Sequence, residues 1–244
     1  MHNAALQALG LRDWRYQLLP VPPERFAETV RALPALGFRG VNVTIPHKEA
    51  ALALADDASP AARAIGAANT LTYGADGTIH ADNTDAPGLL DALEDLPRAT
   101  AVVLGAGGSA RAVVWALQQA GAQVRVWNRT PERAAALGAE VLPPAGPPPG
   151  ADLLVNCTSV GLGDPSTTFK DLPLSPDAIS TYATLVDLVY RPGGTALELA
   201  ARERGVTVVG GLEILVRQGA RSFAGWTGMA PDLAAMRSAV ADPP

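Results

Sequence analysis

The chain has 244 residues, of which 48% are hydrophobic and 18% charged, and its formal net charge is −5. This composition suits a helix-rich globular protein with one large domain or two small ones, and it excludes a disordered or fibrous chain. The acidic balance without a basic stripe argues against a nucleic-acid partner, and the lack of a run of ~20 apolar residues argues against a membrane span.

The cysteine and histidine content bounds the compartment and the metal chemistry. Cys157 is the only cysteine, so an intramolecular disulfide is impossible and we expect a cytoplasmic protein. The N-terminal residues have neither a basic start nor a long apolar run, so we predict no signal peptide. The histidines (His2, His47, His80) have no ligand spacing with one another or with Cys157, so we predict no structural zinc site. This spacing says nothing about oxygen-ligated metals, but no pattern in the sequence indicates one, and we assign no metal ligands.

The first part of the chain alternates short apolar runs with helical patterns, as β-α-β units do. A hairpin is indicated where Ala-Asp-Gly separates two apolar runs. In chain order we predict a strand at Trp14–Leu19, a helix at Pro23–Leu33, a strand at Gly40–Val43, a helix at Pro46–Ala55, a short helix opened by Ser59 and Pro60, hairpin strands at Asn69–Tyr73 and Thr78–Ala81, and a helix at Asp85–Leu93.

A second series begins at Ala101–Leu104, a continuous apolar run of the kind that is buried on both faces of a parallel sheet. The proline-rich segment Pro143–Gly150 cannot hold a helix, and we interpret it as a loop inside one domain because the strand pattern resumes after it. We place the domain boundary near residues 84–100. The predicted elements after Leu104 are a helix at Ser109–Ala120, a strand at Gln123–Trp127, a helix at Pro131–Leu137, strands at Leu153–Val155, Leu185–Leu188 and Val206–Val209, and helices at Leu212–Phe223 and Pro231–Val240.

A glycine-rich motif of the form G-x-G-x-x-A follows the first strand of this second series. Its residues are Gly105, Ala106, Gly107, Gly108, Ser109 and Ala110. Glycine is required where the chain turns sharply and where the backbone approaches a pyrophosphate, which then lies against the N-terminus of the next helix. The alternative is a merely tight turn, but the strand-and-helix context favours dinucleotide binding.

The end of the following strand indicates which dinucleotide is bound. NAD-specific folds carry an acidic residue there, ~20 residues past the first glycine. This chain instead has Asn128, Arg129 and Thr130, with Arg133 one turn later. Guanidinium and hydroxyl groups suit a 2′-phosphate, which a carboxylate would repel, so we predict NADP. The alternative is a solvated helix start with surface arginines.

Polar side chains also follow the strands of the first series, where open α/β sheets bind ligands. Asn42, Thr44 and Asn69 are among them, and by pattern alone they could instead cap helices and turns. Lys48 is one of only two lysines among 19 basic residues. Lysine can be tuned to release a proton and arginine cannot, so Lys48 is either required chemically or a leftover surface lysine.

Eight segments together resemble the shikimate dehydrogenase family. They occur in family order over nearly the whole chain. The segments are N-V-T-I-P-H-K at 42–48, G-A-A-N-T at 66–70, N-T-D at 83–85, G-A-G-G-S-A at 105–110, N-R-T-P-E-R at 128–133, N-C-T-S-V-G at 156–161, D-L-V-Y-R-P at 187–192 and G-L-E-I-L-V-R-Q at 211–218.

The resemblance implies an α/β fold of two domains with the active site in the cleft between them. An N-terminal α/β substrate domain would span residues 1–86 and be completed by 215–244, and a Rossmann-type, doubly wound NADP-binding domain would span 87–214. The implied reaction is NADPH-dependent reduction of 3-dehydroshikimate to shikimate in aromatic amino-acid biosynthesis. Two alternatives stay open: a quinate-type dehydrogenase acting on another polyhydroxy acid, and a non-catalytic NADP-binding relative. Monomer and homodimer are both open.

The resemblance also assigns roles to residues by position. Lys48 and Asp85 would form the catalytic pair. Hydride delivery leaves an alkoxide that must be stabilised and protonated, and a lysine ammonium can do both, so Lys48 is either the proton donor or chiefly an electrostatic stabiliser. The substrate ligands would be Thr44, Asn69, Asp85, Tyr190 and Gln218, and the residues near the nicotinamide would be Leu188 and Gly211.

The start of the sequence departs from the family pattern. The family opens with a strand and a Ser-x-Ser-Pro motif whose hydroxyls bind the substrate carboxylate. This sequence begins just after that motif and contains no Ser-x-Ser. We therefore expect that Met1 is not the natural beginning of the functional enzyme.

Overall fold

The computed structural model describes residues 1–94, 99–191 and 193–241. The chain forms two compact units. Unit 1 consists of Met1–Gly88 and Leu215–Pro244, and unit 2 consists of Leu89–Ile214. Within the described ranges, no helix is long and apolar enough to cross a membrane.

The two units contain ten strands and eleven α-helices within these described ranges. The strands are β1 Gly40–Asn42, β2 Asp57–Ala58, β3 Thr70–Tyr73, β4 Ile79–Asp82, β5 Thr100–Leu104, β6 Gln123–Trp127, β7 Glu140–Val141, β8 Ala151–Asn156, β9 Tyr182–Asp187 and β10 Thr207–Gly210. The helices are α1 His2–Ala8, α2 Phe26–Ala32, α3 Lys48–Leu54, α4 Pro60–Ile65, α5 Asp85–Leu93, α6 Gly108–Gln119, α7 Pro131–Ala135, α8 Thr168–Asp171, α9 Ala196–Glu203, α10 Gly211–Thr227 and α11 Leu233–Ala241.

Unit 1 is built on a mixed sheet with the strand order β1-β3-β4-β2. β3 pairs antiparallel with β1 and β4, and β2 runs parallel to β4. One buried cluster packs helices against this sheet and includes Phe26, Val30 and Leu71. A second cluster joins α1, α10 and α11 through Leu6, Phe223 and other apolar side chains. The C-terminal helices therefore share a core with the first helix of the chain.

Unit 2 is built on six parallel strands in the order β10-β9-β8-β5-β6-β7. Counting strands within the unit, this is the doubly wound Rossmann order, in which the sequence of strands reverses between β5 and β8. Its core includes Val102, Leu154 and Leu185 from the central strands. The carboxyl ends of β5, β8, β9 and β10 lie side by side at one edge of this sheet.

The strand predicted at Trp14–Leu19 is wrong. No strand occurs there, and Leu18 is exposed. The backbone N–H of Tyr16 donates to Asn3 Oδ1 at 2.8 Å, and Asn3 Nδ2 donates to the Tyr16 carbonyl at 2.9 Å. A side-chain amide thus satisfies backbone groups that a strand would have offered to a neighbour.

Most of the other predicted elements are present with shifted ends. The helix predicted from Pro23 starts as a 3-10 turn at Pro23–Arg25, and the one predicted from Pro46 starts at Lys48, after a turn in which the His47 N–H donates to the Thr44 carbonyl. The strand predicted at Leu185–Leu188 is β9, and the final helix starts after Asp232, which caps it. The predicted elements did not include α1, β2, β7, α8 or α9. The segment 143–150 has no helix or strand and lies inside unit 2.

Candidate functional site

A lysine and an aspartate form a close ion pair in unit 1. Lys48 is the first residue of α3 and Asp85 is the first residue of α5. Lys48 Nζ lies 2.7 Å from Asp85 Oδ2, and the two side chains are 11% and 22% exposed. The pair is therefore largely shielded from water but not sealed, which is what a proton-transferring group needs if it is to meet a ligand.

The buried side chain of Asn69 fixes the other oxygen of this aspartate. Asn69 Oδ1 accepts the backbone N–H of Thr84 at 2.7 Å, so its amide nitrogen must point the other way. That nitrogen donates to Asp85 Oδ1 at 2.8 Å. Asp85 is thus held between a lysine ammonium and a carboxamide, and neither of its oxygens can turn away without losing a charge-assisted or buried hydrogen bond.

Helix α10 adds a second carboxamide to the cluster. Gln218 Nε2 donates to the Leu215 carbonyl at 2.8 Å, which leaves Gln218 Oε1 to accept from Asn69 Nδ2 at 3.3 Å and from Thr84 Oγ1 at 3.4 Å. Gly88 makes this approach of α10 to α5 possible. A Cβ on Gly88 would lie 2.8 Å from the Gln218 backbone nitrogen and Cα.

Behind this cluster lies a polar layer of Asn42, Thr70 and Tyr16, of which only Asn42 stood out in the sequence as a candidate ligand position. Thr70 Oγ1 donates to Asn69 Oδ1 at 3.1 Å and accepts from Asn42 Nδ2 at 3.2 Å. Tyr16 Oη donates to Asn42 Oδ1 at 3.1 Å. The signal available in the sequence was that Thr70 and Thr84 are direct neighbours of the predicted site residues Asn69 and Asp85. A hydroxyl next to a strand end, however, fits a capping role equally well.

The structure therefore joins four of the predicted residues, Lys48, Asn69, Asp85 and Gln218, by direct hydrogen bonds. Thr44 is exposed in the turn before α3 in the same unit, whereas Tyr190 belongs to unit 2 and is 49% exposed. Across the described ranges, no group of three or more His, Cys, Asp or Glu side chains is arranged to hold a metal ion.

In unit 2 the glycine-rich loop joins the end of β5 to the start of α6. Gly105 has φ +104°, and a Cβ there would lie 3.1 Å from the Cys157 carbonyl carbon and the Thr158 methyl. Gly107 is the N-cap of α6, and a Cβ there would point into open space. Within the described part of the chain, no side chain caps this helix, so its first N–H groups are available to an anion.

The arginine segment lies at the carboxyl end of β6. Asn128 Nδ2 donates to the Thr130 carbonyl at 2.8 Å and so shapes the turn into α7. Arg129, Thr130 and Arg133 are exposed beside it. Arg129 also lines a cavity of about 550 Å³ in this unit. The loop thus presents two guanidinium groups and a hydroxyl at the place where a Rossmann fold binds the ribose of adenosine.

Leu188 and Gly211 lie at the ends of β9 and β10 in the same unit. A Cβ on Gly211 would lie 2.7 Å from the Leu188 carbonyl oxygen and 3.0 Å from the Asp187 carbonyl oxygen. Glycine is therefore needed here because two backbones approach closely.

The polar side chains Asn156 and Asp187, buried at this edge, were not predicted. Burial raises the pKa of Asp187 to about 6, although donated hydrogen bonds from Thr195, the Val189 N–H and Asn156 oppose that rise. All three contacts are donors to the carboxylate, so they favour its ionised form. The signal available in the sequence was that Asn156 is the first residue of the family segment 156–161 and Asp187 the first residue of the segment 187–192.

Three family models match the chain. "Shikimate dehydrogenase substrate binding domain" matches residues 1–71, "Shikimate / quinate 5-dehydrogenase" matches 89–144, and "Shikimate 5'-dehydrogenase C-terminal domain" matches 211–241. The first and last matches fall in unit 1 and at its border with unit 2, and the second falls in unit 2.

Curated proteins and solved structures agree with these models. The chain is 48% identical to the shikimate dehydrogenase (NADP(+)) of Methylobacterium radiotolerans, over 88% of this chain and 82% of that protein. It is 46% identical to that of Thermus thermophilus, over 98% and 90%. A crystal structure of a Thermus thermophilus shikimate 5-dehydrogenase in complex with NADP(H) and shikimate superimposes with a TM-score of 0.87 at 44% identity, over 98% of this chain and 91% of that one.

Proposed function

The chain belongs to the shikimate dehydrogenase family, and from this premise we propose that it reduces 3-dehydroshikimate to shikimate with NADPH. The reaction is a step of aromatic amino-acid biosynthesis in this family. The observation that carries the proposal is the Lys48–Asp85 pair, 2.7 Å apart and held by Asn69. A merely structural NADP-binding relative would have no need of a largely buried lysine beside such a cluster.

Lys48 acts on the carbonyl oxygen of the substrate. Reduction of a ketone places negative charge on this oxygen, and an ammonium group stabilises that charge most strongly when it is already in place and shielded from water. Lys48 Nζ then gives its proton to the oxygen, which becomes the product hydroxyl. Asp85 orients the ammonium through Oδ2 and keeps it in place while the charge develops.

The remaining polar groups of unit 1 hold the substrate hydroxyls. Asn69 and Gln218 present carboxamides that both donate and accept, which matches the hydroxyls of a polyhydroxylated ring. Thr44 of unit 1 and Tyr190 of unit 2 are further substrate ligands in this proposal.

Unit 2 binds the cofactor. The backbone of Gly105–Ala110 and the N-terminus of α6 hold the diphosphate, and Asn128, Arg129, Thr130 and Arg133 hold the 2′-phosphate. Leu188 and Gly211 lie against the nicotinamide. NADPH, when bound, supplies the hydride.

Residues 1–86 with 215–244 are the substrate domain and 87–214 the cofactor domain. We place the enzyme in the cytoplasm, because a chain with a single cysteine cannot form an intramolecular disulfide and does not need an oxidising compartment.

Steady-state oxidation assays of the purified protein test this proposal. Shikimate and quinate are each offered with NADP⁺ and with NAD⁺. We expect the highest kcat/KM for shikimate with NADP⁺. A higher kcat/KM for quinate would assign the chain to another polyhydroxy acid, and no turnover of either acid would refute the enzyme assignment.

A further inference from the structure

Two buried polar side chains face each other at the carboxyl edge of the sheet in unit 2. Asn156 ends β8 and Asp187 ends β9, and the two residues are paired in the parallel register. Both are 0% exposed, and Asn156 Nδ2 donates to Asp187 Oδ1 at 2.9 Å. Burying a carboxylate is costly unless it is hydrogen-bonded, so a pair of this kind needs a reason.

Asn156 holds the loop that follows β8. Its Oδ1 accepts the backbone N–H of Thr158 at 3.1 Å and the Thr158 hydroxyl at 2.7 Å, and its Nδ2 also donates to the Val160 carbonyl at 3.3 Å. The Thr158 methyl is one of the atoms that a Cβ on Gly105 would meet at 3.1 Å. Asn156 therefore fixes the wall against which the first glycine of the diphosphate loop packs.

Asp187 holds the segment that follows β9 in the same way. Its Oδ1 accepts the Val189 N–H at 3.1 Å, and its Oδ2 accepts the Thr195 hydroxyl at 2.6 Å. Thr195 is the N-cap of α9. The carbonyls of Asp187 and Leu188 are the atoms that exclude a side chain at Gly211. The carboxylate thus fixes the backbone around Leu188, which is assigned to the nicotinamide, and it also fixes the start of α9.

We propose that Asn156 and Asp187 are a positioning pair that sets the shape of the nicotinamide half of the NADP crevice. The inference rests on the proposed function and deepens it. Both side chains are fully buried, so they act on a ligand only through the backbone that they hold. A Rossmann sheet binds one mononucleotide on each half. Arg129, in the turn after β6, marks the adenosine half, so β8 to β10 form the nicotinamide half.

The test is the replacement Asp187→Asn. Asparagine has the same shape as aspartate, but its NH2 group takes the place of one carboxylate oxygen and cannot accept the hydrogen bond that this oxygen accepts. Calorimetry measures the Kd of NADP⁺ and of adenosine 2′,5′-bisphosphate, which carries only the adenosine half. We expect the Kd of NADP⁺ to rise by about tenfold, as for the loss of one charge-assisted hydrogen bond. The Kd of adenosine 2′,5′-bisphosphate should stay at the parental value.

A matched control exists at the opposite edge of the same sheet. Asp152 Oδ2 accepts the Thr100 N–H at 2.7 Å and the Thr100 hydroxyl at 2.8 Å, so it also bridges β8 to a neighbouring strand. Asp152→Asn should leave both dissociation constants unchanged. Should Asp187→Asn not fold, Thr195→Val removes a donor to the same carboxylate, and it should weaken NADP⁺ binding alone.

Three results would count against the inference. A parental Kd for NADP⁺ in Asp187→Asn and Thr195→Val would overturn it. An equal loss of both ligands in Asp187→Asn would show that the pair only supports folding of the unit, and would also overturn it. A parent protein that binds no NADP⁺ would instead refute the proposed function, and the inference with it.

Discussion

Arg129 is the residue at which cofactor choice is most directly tested. It is exposed at the end of β6, where an NAD-specific fold would have a carboxylate. We expect NADP⁺ to be preferred over NAD⁺ by roughly 2–4 kcal/mol if Arg129 and Arg133 both pair with the 2′-phosphate. Arg129→Ala should therefore raise the KM for NADP⁺ much more than the KM for NAD⁺.

The control for this prediction is Arg202→Ala, which removes an exposed arginine from α9 in the same unit. It lowers the net charge equally but lies on another element, so it should change both KM values little. Equal kcat/KM for NADP⁺ and NAD⁺ in the parent protein would show that the arginines are only a solvated helix start.

His2 makes the stability of unit 1 depend on pH. Burial lowers the pKa of His2 from 6.5 to about 4, and its ring stacks on Tyr16 at 4.1 Å. Because the folded form binds this proton less readily than the unfolded form, stability is fully present above pH 6.5 and is lost as pH falls toward 4. The loss should reach about 3 kcal/mol.

Urea unfolding between pH 4 and 7 measures this effect. His2→Phe keeps a ring for the stack but cannot titrate, so its free energy of unfolding should fall less steeply with acid than that of the parent. A His2→Phe slope equal to that of the parent would contradict the assignment.

Asp187 contributes with the opposite sign. Its pKa in the folded protein is raised from 3.8 to about 6, so its ionisation destabilises the fold as pH rises between those values. Asparagine does not titrate, so the free energy of unfolding of Asp187→Asn should lack the fall that the parent shows as pH rises from 3.8 to 6. The same variant loses affinity for NADP⁺, so measuring both quantities separates stability from cofactor binding.

The chemical types of the site residues were readable from the sequence, but their partners were not. Lys48, Asn69 and Asp85 stood out as polar residues at strand ends, and the family resemblance assigned their roles. Thr70 and Asn42 carry the same signal as any capping residue. Which acceptor a hydroxyl or carboxamide finds depends on the tertiary packing around it, and no local pattern encodes that.

At the scale of elements, the crossing of α5 and α10 sets the position of Gln218. Gly88→Ala places a methyl group 2.8 Å from the Gln218 backbone, which is too close for two carbon atoms in contact. The two helices must therefore move apart at this crossing. We expect a loss of about 1–3 kcal/mol in the free energy of unfolding, as for overpacking, and a raised KM for shikimate. The Kd of NADP⁺ should not change.

Gly77→Ala provides a comparison at a glycine with open space around its Cβ position in the hairpin turn. Its φ of +86° makes alanine unfavourable there, so it should also cost stability. It lies away from Gln218, however, and should leave the KM for shikimate unchanged. A Gly88→Ala enzyme with parental stability and KM would show that the two helices tolerate a larger separation.

The helices and strands were predicted correctly where the local sequence pattern agreed with the packing and hydrogen bonding in the folded chain. Helix α5 has the predicted bounds Asp85–Leu93, because an acidic first residue and an apolar face both favour it. The apolar segment 14–19 fits a strand locally, but its backbone bonds go to Asn3. Helix α9 was missed although Thr195 and Glu198 form a capping box, which is visible as T-x-x-E.

At the scale of the molecule, long chain separations explain why the site could not be derived from spacing. Lys48 and Asp85 are 37 residues apart, and Asn69 and Gln218 are 149 apart. Apolar and helical patterns predict that two α/β units exist, but they do not say that α10 returns to the first unit. That expectation came from the order of the family segments.

In the proposed function, unit 1 carries the catalytic residues and unit 2 carries the residues that bind the cofactor. A replacement of Lys48 should therefore abolish turnover without weakening the binding of NADP⁺. Arginine keeps the charge but does not readily release a proton, so Lys48→Arg tests the proton-donor role separately from the electrostatic one.

The most direct test is kcat for shikimate oxidation with saturating NADP⁺, measured together with the Kd of NADP⁺ in the parent, Lys48→Ala and Lys48→Arg. We predict that kcat falls at least ~10²-fold in Lys48→Ala and nearly as far in Lys48→Arg, with the Kd of NADP⁺ unchanged in both. A near-parental kcat in Lys48→Ala would contradict the assignment of chemistry to this residue, and a near-parental kcat in Lys48→Arg would show that its charge alone suffices.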